Sequence, residues 1–327
     1  MIRIGFVGAG GMARFHGSSL KGFPEVKVVG AADPSPSARK EFLKLFPEVN
    51  IFSSWEELLD VDMDAVFICS PTPYHARQVI EFSRRGVHVF CEKPLTTVPE
   101  EAEEVARSVE KSRVKFMIGF CRRFDHHWGK VRELILENKI GRPVIWREIE
   151  ALRGLWGWYV RKGEGWGPLV DKASHTYDFA CWIFGKPRRV FAHITGRLGE
   201  DSADTGFSWI EFVSGDEVIY TCSWMLPPKV LNINFDIVGT QGLVRVNPSL
   251  PDSLKKKGLG GVILCREDGE EWVTFSPNNM HLEEVKYFLE CLEKDEDPSP
   301  GVEEALLSTR IISALIESAS SGKVVDI

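Results

Sequence analysis

At 327 residues the chain exceeds what one hydrophobic core usually supports, so two domains are expected. Hydrophobic residues make up 43% and charged residues 27%, the balance of an ordinary globular protein, and the net charge of −7 argues against nucleic acid or an anionic membrane as the main partner. No apolar run approaches the 18 or so residues of a membrane span. The strand pattern starts at Ile2, so no signal peptide is expected and the chain reads as cytoplasmic. The seven cysteines include no C-x-x-C pair; Cys69, Cys91, Cys181 and Cys222 sit in apolar segments as reduced core residues do, and no metal site is expected.

In chain order, Ile2, Ile4, Phe6 and Val7 read as a buried strand, Gly8 to Ala13 as a tight turn, and Ala13 to Leu20 as a helix. A second strand, Val26–Ala32, ends in Asp33. Helices over Ser35–Leu45 and Ser54–Leu59 follow, then the strand Ala65–Cys69, the helix His75–Arg85, the strand Val87–Cys91, the helix Pro99–Ser112 and the strand Lys115–Gly119. Strands alternating with helices over residues 1–121 predict a doubly wound parallel sheet of the Rossmann type. From residue 122 onward the pattern changes. A helix (His127–Asn138), a strand (Val144–Ala151), a loop rich in glycine and aromatics (Arg153–Pro168) and a helix (Ser174–Phe184) lead into strands with period-two alternation, such as Ser208–Phe212 and Asn232–Ile237. Such strands, joined by glycine turns, predict an α+β domain on a largely antiparallel, open-faced sheet, a face suited to self-association. Asp252–Gly261 reads as a mobile polar loop, and helices over Leu282–Glu293 and Val302–Ser321 close the chain, the last able to pack back on the first domain.

Gly8-Ala9-Gly10-Gly11-Met12-Ala13 has the order a dinucleotide site requires: Gly8 permits the turn, Gly10 lets a pyrophosphate approach the backbone, and Ala13 lets helix and strand pack closely. Asp33 lies about 20 residues further on, where an acid binds the adenosine ribose, and this favours NAD over NADP. The competing reading of Asp33 is a cap for the next helix. Ligands of such sheets bind beyond the carboxyl ends of the strands, which adds Ser70, Thr72, Glu92, Lys93 and Arg122 to the candidates. His75 contacts the cofactor or caps its helix.

Lys93, followed by a proline that fixes the chain direction, can exchange a proton with a substrate hydroxyl beside a cationic nicotinamide ring; the plainer reading is a Glu92–Lys93 surface pair. Asp171 and His175 are four apart and share a helix face, which suits the loss of an O–H proton as hydride leaves, although a helical histidine is often structural. Trp156, Trp158, Tyr159 and Trp166 crowd the preceding loop, suited either to the C–H face of a sugar or cyclitol ring or to core packing.

Together these segments resemble the glucose-fructose oxidoreductase/inositol dehydrogenase (Gfo/Idh/MocA) family: Gly8–Ala13 with His16, Asp33-Pro34, Cys69 to His75, Phe90 to Leu95 with Glu92-Lys93-Pro94, Gly119 to Asp125, and Asp171-x-x-x-His175-x-x-Asp178. The resemblance implies an NAD(P)-dependent oxidoreductase of sugars, polyols or inositols, forming a homodimer or homotetramer through its C-terminal sheet. It implies Lys93 and His175 as the proton-handling pair, Asp171 as their orienting and substrate-binding partner, and Arg122 near cofactor or substrate; apart from the resemblance, Trp158 of the aromatic loop and Lys172 beside Asp171 are further substrate-binding candidates. Lys172 departs from the usual apolar residue, which opens pairing with Asp171, binding of a carboxylated substrate, or a share in the proton role. A glycoside hydrolase that keeps NAD bound and a non-catalytic NAD- or sugar-sensing protein are the rival functions.

Overall fold

The computed structural model describes the whole chain, Met1–Ile327. Contacts divide it into two compact units, Met1–Phe120 with His281–Thr309, and Cys121–Met280 with Arg310–Ile327.

The first unit is built on six parallel strands, β1 (Ile2–Val7), β2 (Val26–Ala32), β3 (Asn50–Phe52), β4 (Ala65–Ile68), β5 (His88–Cys91) and β6 (Phe116–Ile118), in the spatial order β3-β2-β1-β4-β5-β6. The helices α1 (Gly11–Leu20), α2 (Pro36–Leu45), α3 (Trp55–Leu58), α4 (His75–Ser83) and α5 (Pro99–Ser112) connect them. Strand order reverses between β1 and β4, so the crevice for a ligand lies at the carboxyl ends of those two strands. A parallel sheet must be covered on both faces, and the residues of each strand divide accordingly. Val66, Ile68, Val89 and Cys91 pack with Val79 and Phe82 of α4 and with Ala102 and Val105 of α5. On the opposite face Phe67 and Phe90 stack with ring centroids 4.7 Å apart, bounded by His16 of α1 and Phe288 of α9 (Met280–Lys294). Burying a phenylalanine contributes about 1.5–3 kcal/mol, so this aromatic layer is a large share of the unit's stability.

The second unit holds a nine-stranded sheet. Its strands are β7 (Ile145–Ala151), β8 (Pro187–Thr195), β9 (Thr205–Phe212), β10 (Glu217–Ser223), β11 (Asn232–Val238), β12 (Gly242–Arg245), β13 (Gly260–Arg266), β14 (Gly269–Phe275) and β15 (Val325–Asp326), in the order β14-β13-β12-β11-β7-β10-β9-β8-β15. The pairing is antiparallel except for β7 with β10. On β7 the alternation puts Trp146, Glu148 and Glu150 inside, with Ile145, Arg147 and Ile149 exposed. The inner face is covered by α6 (His126–Leu136) and α7 (Ser174–Phe184): Trp128 stacks on Trp146 at 5.4 Å, and Phe179 meets both rings. The outer face leaves Ile145, Ile149, Phe207 and Ile219 exposed.

Some details differ from the sequence expectation. The three-residue β3 is too short to show a period, and its pairing with β2 defines it. Part of the polar run 252–261 is ordered as the one-turn helix α8 (Asp252–Lys255) and the start of β13, because Val262 and Leu264 are buried beyond it. The last helix, α10 (Val302–Ser321), gives residues 302–309 to the first unit and the remainder to the second. All seven cysteines are free thiols, and no helix is long and apolar enough to cross a membrane.

Candidate active site

The glycine turn sits between β1 and α1. Gly8 has φ +91°, and a Cβ there would lie 2.8 Å from the Cys69 carbonyl oxygen, so this position accepts only glycine. Gly10 and Gly11 differ: a Cβ built on either meets nothing within 4 Å. Open space, not crowding, therefore surrounds them at the start of α1, where Gly10 caps the helix without a side-chain hydrogen bond. The free N–H groups and the positive end of the helix dipole face that space, the arrangement that receives a pyrophosphate. Ala9 and Ala13 are fully buried and Met12 is half-buried. Asp33 closes the turn from the end of β2: its Oδ2 accepts the Ala9 N–H at 2.8 Å and its Oδ1 the Ser35 N–H at 2.8 Å. The cap of α2 is Ser35, whose Oγ accepts from Ala38 N–H, so the capping reading of Asp33 is replaced by one in which it braces the glycine turn. Each carboxylate oxygen keeps a further lone pair able to accept a hydrogen bond.

After β4, Ser70 donates its hydroxyl to Gln78 Oε1 at 2.6 Å, and Thr72 is buried in a short 3₁₀ turn, Thr72–Tyr74. His75 does not cap α4. Its buried ring sits between two backbone carbonyls, with Nε2 2.6 Å from Ser70 O in the loop after β4 and Nδ1 2.9 Å from Pro94 O in the loop after β5, and in its neutral form it donates to one of them. Burial holds His75 below the usual histidine range. The Lys93–Pro94 peptide is cis. Glu92 is no surface partner of Lys93: it is buried, with Oε1 2.7 Å from Nε2 of the fully buried His16 and Oε2 accepting the Lys93 backbone N–H at 3.3 Å. His16, read from sequence only as a packing residue of the first helix, is thus a buried polar partner of the Lys93 turn.

In the second unit, Arg122 lies in a 3₁₀ turn (Cys121–Phe124) and is buried. Its Nη2 is 3.1 Å from Glu148 Oε1, its Nη1 donates to Thr176 Oγ1 at 2.8 Å, and its guanidinium stacks 4.4 Å from the Trp128 ring centroid. Burial works against its charge, and Glu148 more than offsets that. Arg123 grips Asp178 in a bidentate pair, at 2.9 and 2.6 Å. Asp178, the last acid of the Asp-x-x-x-His-x-x-Asp pattern, is thereby a structural partner.

Asp171 is buried in the turn before α7, its carbonyl accepting the Ser174 hydroxyl at 2.7 Å, and His175 is half-buried in the first turn of that helix. Lys172 Nζ lies 4.0 Å from Glu150 Oε2, an ion pair with an acid of β7 that was not among the three roles the sequence left open. Burial pushes the Glu150 carboxyl up, against the pull of Lys172. Glu150 Oε1 and the hydroxyl of Tyr220, on the neighbouring strand, are buried with no hydrogen-bond partner. Trp158 stacks on Tyr159 at 3.9 Å, which spends one face of the predicted ring platform within the loop. The loop is also pinned, since a Cβ at Gly167, φ +65°, would stand 1.7 Å from the Ala203 carbonyl oxygen. Glu148, Glu150, Thr176 and Tyr220 were not singled out from sequence. The signal was in β7, where both acids fall in phase with the buried Trp146.

The chain matches two family models: the Gfo/Idh/MocA oxidoreductase family, NAD-binding Rossmann fold, over residues 2–120, and the C-terminal alpha/beta domain of the same family over residues 132–327. It is 25% identical over 337 residues to the inositol 2-dehydrogenase of Rhizobium meliloti, covering 100% of this chain and 99% of that one. It is 28% identical over 257 residues to the scyllo-inositol 2-dehydrogenase (NAD(+)) of Bacillus subtilis, covering 74% of this chain and 73% of that one. Among solved structures, an oxidoreductase from Agrobacterium radiobacter in complex with NAD+, L-tartaric acid and magnesium shares the fold, with TM-score 0.82 and 19% identity over 99% of this chain and 98% of that one. Two family models in series, a glycine turn open to a pyrophosphate and the buried Glu92 beside Lys93 describe one kind of protein: this chain belongs to the Gfo/Idh/MocA family of oxidoreductases and carries that family's NAD-binding Rossmann domain.

Proposed function

We propose that the protein is an NAD-dependent dehydrogenase that moves hydride between the nicotinamide and a carbinol carbon of an inositol, a sugar or a sugar acid. Bound NAD supplies the hydride acceptor. In the oxidative direction the carbinol C–H leaves as hydride, the O–H bond gives up its proton, and ketone, NADH and one proton result. Lys93 and His175 handle that proton, with Asp171 orienting His175 and the substrate. Gly8, Ala9, Gly10, Gly11 and Met12 receive the pyrophosphate, Asp33 the ribose, and Ser70, Thr72, His75 and Glu92 shape the loops at the strand ends. The observation that carries the reading is the coexistence of the glycine turn open at Gly10 and Gly11 with the Glu92-Lys93-Pro94 turn in a chain matched end to end by this family.

Arg122 is matched by Glu148, and Lys172 stands opposite Glu150. The test is a panel of inositols, aldoses, ketoses and uronates with NAD and with NADP, followed at the nicotinamide absorbance. NADH production from a member of the panel is expected, with NAD preferred because a 2′-phosphate would meet the Asp33 carboxylate. Oxidation of none of them, or a preference for NADP, would overturn this assignment. Glycoside cleavage without net NADH would favour the hydrolase.

The outer face of the second unit's sheet, with Ile145, Ile149, Phe207 and Ile219 exposed, supports self-association through that face. Light scattering is expected to give a dimer or tetramer mass. Replacing Ile149 and Ile219 by glutamate should return the monomer, and an unchanged mass would exclude this face.

A further inference from the structure

The contact between His16 and Glu92 is more than packing. His16 is fully buried on α1, walled by Phe67 and Phe90 at centroid distances of 5.7 and 5.1 Å, and its Nδ1 has no partner. A proton on that nitrogen would be a buried donor with nothing to bond, at a cost of about 1–3 kcal/mol. The ring is therefore the neutral Nε2–H tautomer, donating to Glu92 Oε1 at 2.7 Å. With Oε2 accepting the Lys93 N–H at 3.3 Å, Glu92 receives both donors that an ionised carboxylate wants.

We propose that His16 is a positioning residue for Lys93: its Nε2–H holds Glu92 in place as an anion against the Lys93 main chain, and the charge of Glu92 sets how readily the Lys93 amine gives up its proton. The proposal rests on the reading of Lys93 as a proton-handling residue.

The titratable groups facing Glu92 are His16, Cys69 after β4, His75 at the start of α4, Cys91 on β5, Lys93, and His281 and Glu284 on α9. Burial raises both thiols, so they stay protonated, and burial keeps His75 neutral. Glu284 is fully buried, with Oε1 unpartnered, and burial together with the nearby charge of Glu92 pushes its carboxyl well above the usual range. Neighbouring carboxyl groups each disfavour the other's ionisation. Against its own burial, it is Glu92 of the two that is held below the usual range, by the His16 hydrogen bond and nearby positive charge.

The experiment measures kcat/KM for oxidation against pH, using the substrate turned over fastest in the panel above. A base must be unprotonated to act, so activity rises with pH along an acid limb set by Lys93. Glu92→Gln removes an anion that favours the ammonium and is expected to move the limb down by about one pH unit. His16→Phe strips Glu92 of its donor, favours its neutral form and should move the limb the same way. His16→Gln, whose amide can donate to Glu92, should restore most of the wild-type profile. The Glu92→Gln/His16→Phe double variant should go no further than Glu92→Gln alone, and Glu284→Gln should leave the limb in place. A limb that stays put in Glu92→Gln and His16→Phe, while Lys93→Ala abolishes turnover, overturns the positioning role and leaves the Lys93 reading standing. Retained turnover in Lys93→Ala overturns the Lys93 reading itself. A second measurement needs neither substrate nor variant folding: ¹⁵N spectra of the histidine-labelled wild type should show His16 as the Nε2–H tautomer, and an imidazolium or Nδ1–H form would refute the proposal.

Discussion

Lys93→Ala is expected to lower kcat by about 10²–10⁴, the range that a positioned proton-transfer group contributes, while NAD binding changes by only a few-fold. The asymmetry follows from the turn. Glu92 accepts the Lys93 backbone N–H and the His75 ring packs 2.9 Å from the Pro94 carbonyl oxygen, so the main chain of this loop is held by contacts that do not involve the lysine amine. Truncating the side chain removes the amine and leaves the loop. Lys93→Arg separates the possible roles: arginine keeps a positive charge and cannot act as a base, so it should be nearly as inactive as alanine if proton transfer is the role. Substantial activity in the arginine variant would reduce Lys93 to an electrostatic contact. His175→Ala should lose activity on a similar scale, and the double variant should lose less than the two losses multiplied, because residues that act as a unit are not additive. Steady-state kinetics with fluorescence titration of NADH checks each case.

The second large effect is on stability. Glu148→Ala is expected to destabilise the second unit by about 3–5 kcal/mol, because Arg122 would be left charged and buried with its carboxylate partner gone. Thr176 and the Trp128 face remain to Arg122, but neither neutralises it. Trp146 would lose the acceptor for its indole N–H as well, since Nε1 donates to Glu148 Oε2 at 3.1 Å. At about 2–4 °C per kcal/mol for a unit of this size, the transition should fall by about 10 °C. Replacing the pair together, Arg122→Met with Glu148→Leu, should recover much of that loss, since an apolar pair of similar volume avoids the desolvation cost. Scanning calorimetry decides: a drop in Glu148→Ala no larger than that of a surface substitution would mean the ion pair is dispensable to the fold. The double variant also bears on Arg122 as a ligand contact, since a raised KM for substrate or NAD in a well-folded protein would restore that role.

Much of the first unit was legible because its signals are local. Apolar runs ended by glycine or by Ser-Pro-Thr-Pro, alternating with helix-period segments, are enough to call a parallel sheet, and the glycine turn and Asp33 stand at a spacing the fold imposes. The partners of those residues were not legible. His16 and Glu92 are 76 positions apart, and nothing in either neighbourhood names the other; only the stacking of α1 over β5 makes them a pair. The reading of Glu92 with Lys93 as a surface pair failed for the same reason, since adjacency in sequence does not determine burial. In the second unit the period-two alternation identified strands, yet the parallel pairing of β7 with β10 is non-local and carries no sequence mark. The inward acids of β7 could have been found by asking why Glu148 and Glu150 keep step with Trp146, a charge placed where the pattern calls for an apolar residue.

The first unit takes residues His281–Thr309 from late in the chain: β6 depends on them for the bond from Ile118 N–H to the Pro300 carbonyl, and Phe288 covers Phe67 and Phe90. A ribosome therefore delivers the nucleotide-binding half first and its lining last. Until residues 281–309 are translated, the Phe67–Phe90 layer lacks its Phe288 cover. Here the order of synthesis and the order of completion run in opposite directions.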